Sequence, residues 1–140
     1  MTTAFSSAAK EIRTVLDRII ADWGSVPYTL KIEGNNRDVI DLAKQTDPFI
    51  CADILNLTGG QFDLAKNPRS KQLGQVQLAV VDKKGQGTGR IEVVLDFIAP
   101  YFSAKDLATV RFHTAALTKH YEKAEWYYQP VVIPFWYIWE

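Results

Sequence analysis

Hydrophobic positions recur every three or four residues at the start of the chain: Phe5, Ala8, Ile12, Leu16 and Ile19, with Val15, Ile20 and Trp23 beside them and charges opposite. That spacing predicts an amphipathic helix whose stripe is core and whose end is Gly24. In "VPYTLKIEG" the period falls to two, because Tyr28, Leu30 and Ile32 alternate with Thr29, Lys31 and Glu33, as in a half-buried strand. The polar "NNRDVIDLAKQTD" leads to a second, mostly buried strand in "PFICADILNL". Paired glycines, a proline and the bases Lys66, Arg69 and Lys71 then predict a long loop at about residues 58–72. Gly74, Val76, Leu78 and Val80 begin a third, alternating strand that runs into the glycine-rich "GQGTG".

The next stretch, "RIEVVLDFIAPYF", fits both periods. Ile91, Val93, Leu95 and Phe97 alternate with Arg90, Glu92 and Asp96 as a strand does, while Ile91, Val94, Leu95, Ile98 and Phe102 form a helical stripe with Thr88 as a candidate N-cap. Period alone leaves both open. As a strand it makes residues 84–89 a hairpin loop and starts the second helix near Ser103 and Asp106; as a helix it makes "ATVRFHTA" the next strand.

Composition narrows the class. A chain of 140 residues, 47% hydrophobic and 23% charged, is the size and make-up of one globular domain, neither disordered nor fibrous. Sixteen basic residues balance sixteen acidic ones, so no global field holds a nucleic-acid backbone. The single cysteine, Cys51, excludes an internal disulfide and a cysteine-based zinc cluster, and points to synthesis in a cytoplasm. Lys10, Glu11, Arg13, Asp17 and Arg18 interrupt the N-terminal apolar pattern, which a signal-peptide core does not tolerate. The longest apolar run, residues 131–139 with Pro134 inside it, is far short of the roughly 20 residues of a membrane helix. A soluble protein that meets no membrane is expected.

Chemical motifs are sparse. "GQGTGR" suggests a phosphate-binding turn, but Gly85, Gly87 and Gly89 miss the G-x-G-x-x-G spacing, with Arg90 in its last position, and no lysine is followed by Ser or Thr. A plain strand-to-helix turn accounts for it. His113 and His120 lie among Asp106, Glu122 and Glu125, but two histidines with unplaced carboxylates do not define a metal site. Cys51 sits in an apolar strand without a neighbouring histidine and is read as a small buried hydrophobe, not a nucleophile. No catalytic, cofactor or metal residue is assigned.

Taken in order, several pieces resemble the tail terminator proteins of tailed bacteriophages: the N-terminal amphipathic helix, three strands of which the third is residues 74–81, the turn and stripe of "KGQGTGRIEVVLDFIAPYF", a strand at residues 110–114, and a closing Trp126, Tyr127, Pro130, Val131, Ile133, Pro134 and Phe135. The resemblance covers most of the chain and favours the helix for residues 88–101. It implies an α+β domain over residues 1–140, with two helices packed on one face of a mixed, mostly antiparallel sheet of about five strands in the order α-β-β-β-α-β-β. It also implies a structural virion protein with no enzymatic activity. Such a protein forms a ring, expected to be a hexamer, on the head-proximal end of the tail tube. There it stops polymerisation and offers its other face to head-completion or connector proteins. The ring encloses the path of the genome, so Lys66, Arg69 and Lys71 become candidate contacts to the tube protein or, without sequence specificity, to passing DNA. Lys66, Arg69 and Lys71 also fit a solvated loop, and the residues do not decide between the two. Rival readings are a neck or head-to-tail joining protein of related fold, or a small enzyme using His113 and Asp106.

The ending "WYYQPVVIPFWYIWE" has two apolar faces if it is a strand, and Pro130 and Pro134 place it at or near a sheet edge. Up to Phe135 it reads as core; Trp136, Tyr137, Ile138 and Trp139 read as an extension at residues 136–140 that contacts a neighbouring subunit. On that basis a chain lacking residues 136–140 is expected to fold but not assemble.

Overall fold

The computed structural model describes residues 4–25, 28–34, 40–42, 44–61, 70–85, 87–102, 107 and 109–139, and the side chains of these apart from residues 4–5, 56–61, 70–71 and 138–139. The elements run α1 (Ala4–Trp23), β1 (Ile32–Glu33), β2 (Phe49–Gln61), β3 (Ser70–Lys83), α2 (Gly89–Phe102), β4 (Val110–Phe112), β5 (Ala116–Leu117), β6 (Tyr121–Lys123) and β7 (Trp126–Trp139). They form an α+β fold with one mixed seven-stranded sheet, in which only the β1–β2 pair is parallel.

The stripe of α1 is buried as its spacing requires, with Ala8, Ile12, Val15, Leu16 and Ile19 in the core. Gly24 ends the helix at φ 76°, in the left-handed region that glycine enters without strain. Residues 89–102 are helix, and Ile91, Val94, Ile98 and Phe102 face the sheet. Both helices lie on one face, α1 over β7 and α2 over β3. There they meet Ile50, Ala52 and Ile54 of β2, Val76, Leu78 and Val80 of β3, and Val131, Ile133, Phe135 and Tyr137 of β7. Gly74 is buried under the ring of Phe135: a Cβ there would lie 2.3 Å from the ring and 2.6 Å from the Leu55 carbonyl oxygen.

The opposite face carries a smaller cluster at one end of the sheet. Phe49, Val81 and Trp126 pack there under Ile40, with Phe49 and Trp126 edge to face at 5.5 Å.

Four expectations are corrected or narrowed. The strand at Tyr28 to Ile32 shrinks to Ile32–Glu33, because Tyr28 turns onto Trp23, 5.5 Å between rings, and its carbonyl accepts the Trp23 indole N–H at 2.8 Å. The loop at about residues 58–72 is narrower, since β2 continues to Gln61 and β3 begins at Ser70, with a register shift between Asn56 and Thr58 that absorbs the irregularity. The sheet has seven strands and not about five, because three short strands follow α2. Finally, of the two placements at or near a sheet edge, β7 takes the second: β3 pairs with it from Trp126 to Trp139, and the short edge strands β4, β5 and β6 share its other side.

The two prolines connect the last two corrections. The pairings place Pro134 between the stretches bonded to β4 and β5, and Pro130 between those bonded to β5 and β6. Each carbonyl still accepts a bond, from His113 N–H at 2.8 Å and Thr118 N–H at 3.2 Å, but neither nitrogen can donate in return. A ladder missing a donor every fourth residue cannot hold one long partner, so the facing chain breaks into three. At Pro130 a side chain fills in: the Gln129 amide donates to the Thr118 carbonyl at 2.9 Å.

Candidate assembly surfaces

The closing strand shows which aromatic side chains remain available to a partner. Its odd positions Val131, Ile133, Phe135 and Tyr137 point under the helices and are buried. Tyr137 is 2% exposed, and burial pushes its hydroxyl pKa up. Tyr137 is thus a core residue, which corrects its placement in a subunit contact; the physical reason is strand parity, which puts it on the same face as Phe135. Trp136 is half-buried on the opposite face. The backbone of Ile138 and Trp139 pairs with Lys71 and Ser70, while their side chains lie outside the description. Residues 136–139 therefore belong to the sheet and are not a dispensable extension.

Among the described residues, no helix lies on the outer face of the sheet. Beyond the Phe49, Val81 and Trp126 cluster it presents Cys51 and Ala79, then Pro130, Val132, Pro134 and Trp136, with Leu73 38% exposed. Tyr121 of β6 stacks on Tyr128 with centroids 4.8 Å apart. A groove on this face runs past Glu33, Cys51, Asp53, Thr118 and Tyr121. The Cys51 thiol points at Glu33 Oε2, 3.9 Å away, and its pKa is pushed up to about 11 by burial and by that carboxylate. A thiol held protonated at neutral pH has little nucleophilic character.

On the helix face, a cleft of about 320 Å³ separates α2 from the β4–β5 edge. Ile98, Phe102, Val131 and Ile133 form its floor, and Leu95, Ala99, Ala115 and Leu117 are among its lips. Among the described residues lining it, Asp96 is the charged one.

One buried charge marks the β3-to-α2 turn. Asp82 is fully buried, and its Oδ1 accepts the Lys83 N–H at 2.8 Å. Its Oδ2 faces Arg90 Nε at 3.3 Å without hydrogen-bond alignment, so charge alone compensates these two buried atoms. Arg90 also donates through Nη2 to the Thr46 carbonyl at 3.0 Å and lies 5.7 Å over the Tyr28 ring. Burial pushes the Asp82 pKa up, and the Lys83 N–H and Arg90 oppose that shift. The glycine turn has a structural account as well: Gly85 and Gly87 adopt φ 85° and 72°, and the turn delivers Arg90 back to Asp82.

His113 and His120 are both exposed, and His120 stacks on Tyr127 at 5.0 Å. Among the described residues no group of three His, Cys, Asp or Glu side chains could hold a metal. Asp106, Lys66 and Arg69 lie outside the described residues, and Lys71 is described only as β3 backbone paired with Gly60 and Ile138. Of the three loop bases, Lys71 is therefore brought by its backbone beside Ile138 of the aromatic end. The Asp82–Arg90 pair and the α2–β5 cleft are absent from the sequence-derived candidates. An acidic residue standing where the β3 alternation predicts an apolar one was the legible sign of the first; the cleft needed β5, which no pattern announces.

No family model and no curated protein matches the chain. Five chains of solved structures match it; one, which carries no descriptive name, is 18% identical and aligns with a TM-score of 0.64 over 90% of this chain and 92% of its own. At that identity the likeness is one of fold. No helix among the described residues is long and apolar enough to cross a membrane.

Proposed function

We propose that this chain is a ring-forming structural subunit of the tail terminator type, which caps the end of a phage tail tube and presents a surface for head attachment. The observation that carries this reading is the way the resembling pieces sit together. The glycine turn opens α2, and the Pro-x-x-Ile-Pro-Phe segment closes the sheet as β7, against the third strand of the set. An apolar cleft on the helix face and a partly apolar sheet face that no described helix covers are two unlike surfaces, as self-association plus a second partner requires. Termination then follows from occupancy: a ring seated on the tube end leaves no docking surface for another tube subunit.

The test is electron microscopy of the purified protein mixed with tube subunits. Tubes capped by a ring and halted in growth are expected; tubes that elongate unchanged contradict the reading. Rings that bind a head connector but ignore tubes identify a neck protein of related fold instead.

A further inference from the structure

We propose that the outer-face corner of the sheet where β6 meets β7 is a binding site for single-stranded nucleic acid, in which a base continues the Tyr128–Tyr121 ring stack and the backbone phosphates meet Lys123 and Lys83. The site lies within one copy of the chain, and its test is separate from that of the capping reading above.

The stack is set by the sheet. Tyr121 and Tyr128 are directly paired, so their side chains rise from the same face, and their rings are parallel to within 4° with centroids 4.8 Å apart. That distance is the spacing of neighbouring strands, so the rings stand on their strands and the stack runs across the sheet. The strand β6 pairs with β7 alone, and the next place in the stack falls beyond it, outside the sheet. Tyr128 is half-buried against the Phe49, Val81 and Trp126 cluster, which fixes the inner end, while Tyr121 is 49% exposed at the outer one. A ring added there stacks on a tyrosine already held in place, and every nucleobase has a face that can do so.

The neighbouring row supplies cations. Lys83 and Lys123 are both paired with Trp126, one from β3 and one from β6, so all three share the outer face with the tyrosines two residues along. Two residues of strand span about 7 Å, which puts the amines within reach of the backbone of a base stacked on Tyr121. Lys83 Nζ lies 5.7 Å from the centre of the Trp126 ring and Lys123 is exposed; among the described residues no carboxylate pairs with either.

Acids stay off this corner. Strand alternation turns Glu122 to the opposite face, where Lys84 meets it at 3.5 Å, and turns Glu125 away from the side that Trp126 faces. Glu33 is on the outer face but four strands from Tyr121, about 19 Å away. The turn at Ile40, over Phe49, carries Asp41 and Lys44, one charge of each sign. The corner therefore fits an anion that carries an aromatic ring, and a nucleotide is that combination.

The experiment uses the full chain and a fluorescein-labelled oligothymidylate, read by fluorescence anisotropy. Saturable binding is expected, with log K against log salt falling at a slope of about −1.4 for two phosphate contacts. Tyr121→Ala should weaken binding about tenfold and Tyr121→Trp should keep it, because a stacked base needs a ring and not a hydroxyl. Lys123→Gln should reduce the magnitude of the slope by about 0.7. Tyr121 and Lys123 are exposed, so these variants should keep the circular dichroism spectrum of the parent. Absence of binding at low salt, equal binding to the strand annealed to its complement, or a Tyr121→Ala chain that binds as well as the parent overturns the inference. Displacement of the oligonucleotide by an equal concentration of a peptide rich in Trp and Asp would assign the corner to an acidic protein segment, and overturns it too.

Discussion

Asp82 shows how a single residue ties the helix face to the turn beside it. Its carboxyl is fully buried, and its partner Arg90 has a side chain 36% exposed, so solvent screens part of the attraction. Burial wins, and the folded-state pKa lies above the ordinary 3.8. A raised carboxyl pKa means that the fold binds this proton more tightly than the unfolded chain does. The stability it contributes is full below pH 3.8 and is lost as pH rises through the folded-state value. Asp82→Asn keeps an oxygen for the Lys83 N–H and does not titrate. Urea unfolding across pH 4 to 7 is expected to show the stability difference moving in favour of the Asn variant as pH rises; a flat difference contradicts the burial account.

The β7 edge is where elements and residues trade roles. Pro130 removes the donor that the Thr118 carbonyl would receive from a regular ladder, and the Gln129 side chain supplies one at 2.9 Å. Gln129→Ala is expected to cost about 0.5–1 kcal/mol, the low end for a solvent-accessible hydrogen bond. In a Pro130→Ala background the restored backbone N–H takes over, and the cost of the same change should fall towards zero. A double-mutant cycle by urea denaturation reads this coupling; equal costs in both backgrounds would mean that the amide does not replace the missing donor.

This edge also explains what the sequence could and could not say. The α1 stripe, the odd-even division of β7 and the core strands were legible because they depend on local period. Helix 89–102 had two acceptable periods, and only the order of the surrounding pieces separated them. The strands β4, β5 and β6, of three, two and three residues, carry no period of their own and exist because β7 offers them bonds in three stretches separated by its prolines. Pro130 and Pro134 were read as placing the strand at or near a sheet edge; β7 lies near one, and the breaks the prolines cause fall on its partner strands. Tyr137 was misplaced for a related reason: once β7 runs unbroken to Trp139, parity carries its ring into the core.

At the scale of the whole molecule, the account depends on two unlike surfaces on one small domain. Both described helices cover a single sheet face, and among the described residues no helix covers the other face, which carries Val132, Pro134 and Trp136 of β7. The most direct measurement is tail length and head attachment in phage that lack this protein, scored by electron microscopy. The account predicts tails of irregular, extended length that fail to join heads, restored by supplying the protein; tails of normal, uniform length already joined to heads would contradict it.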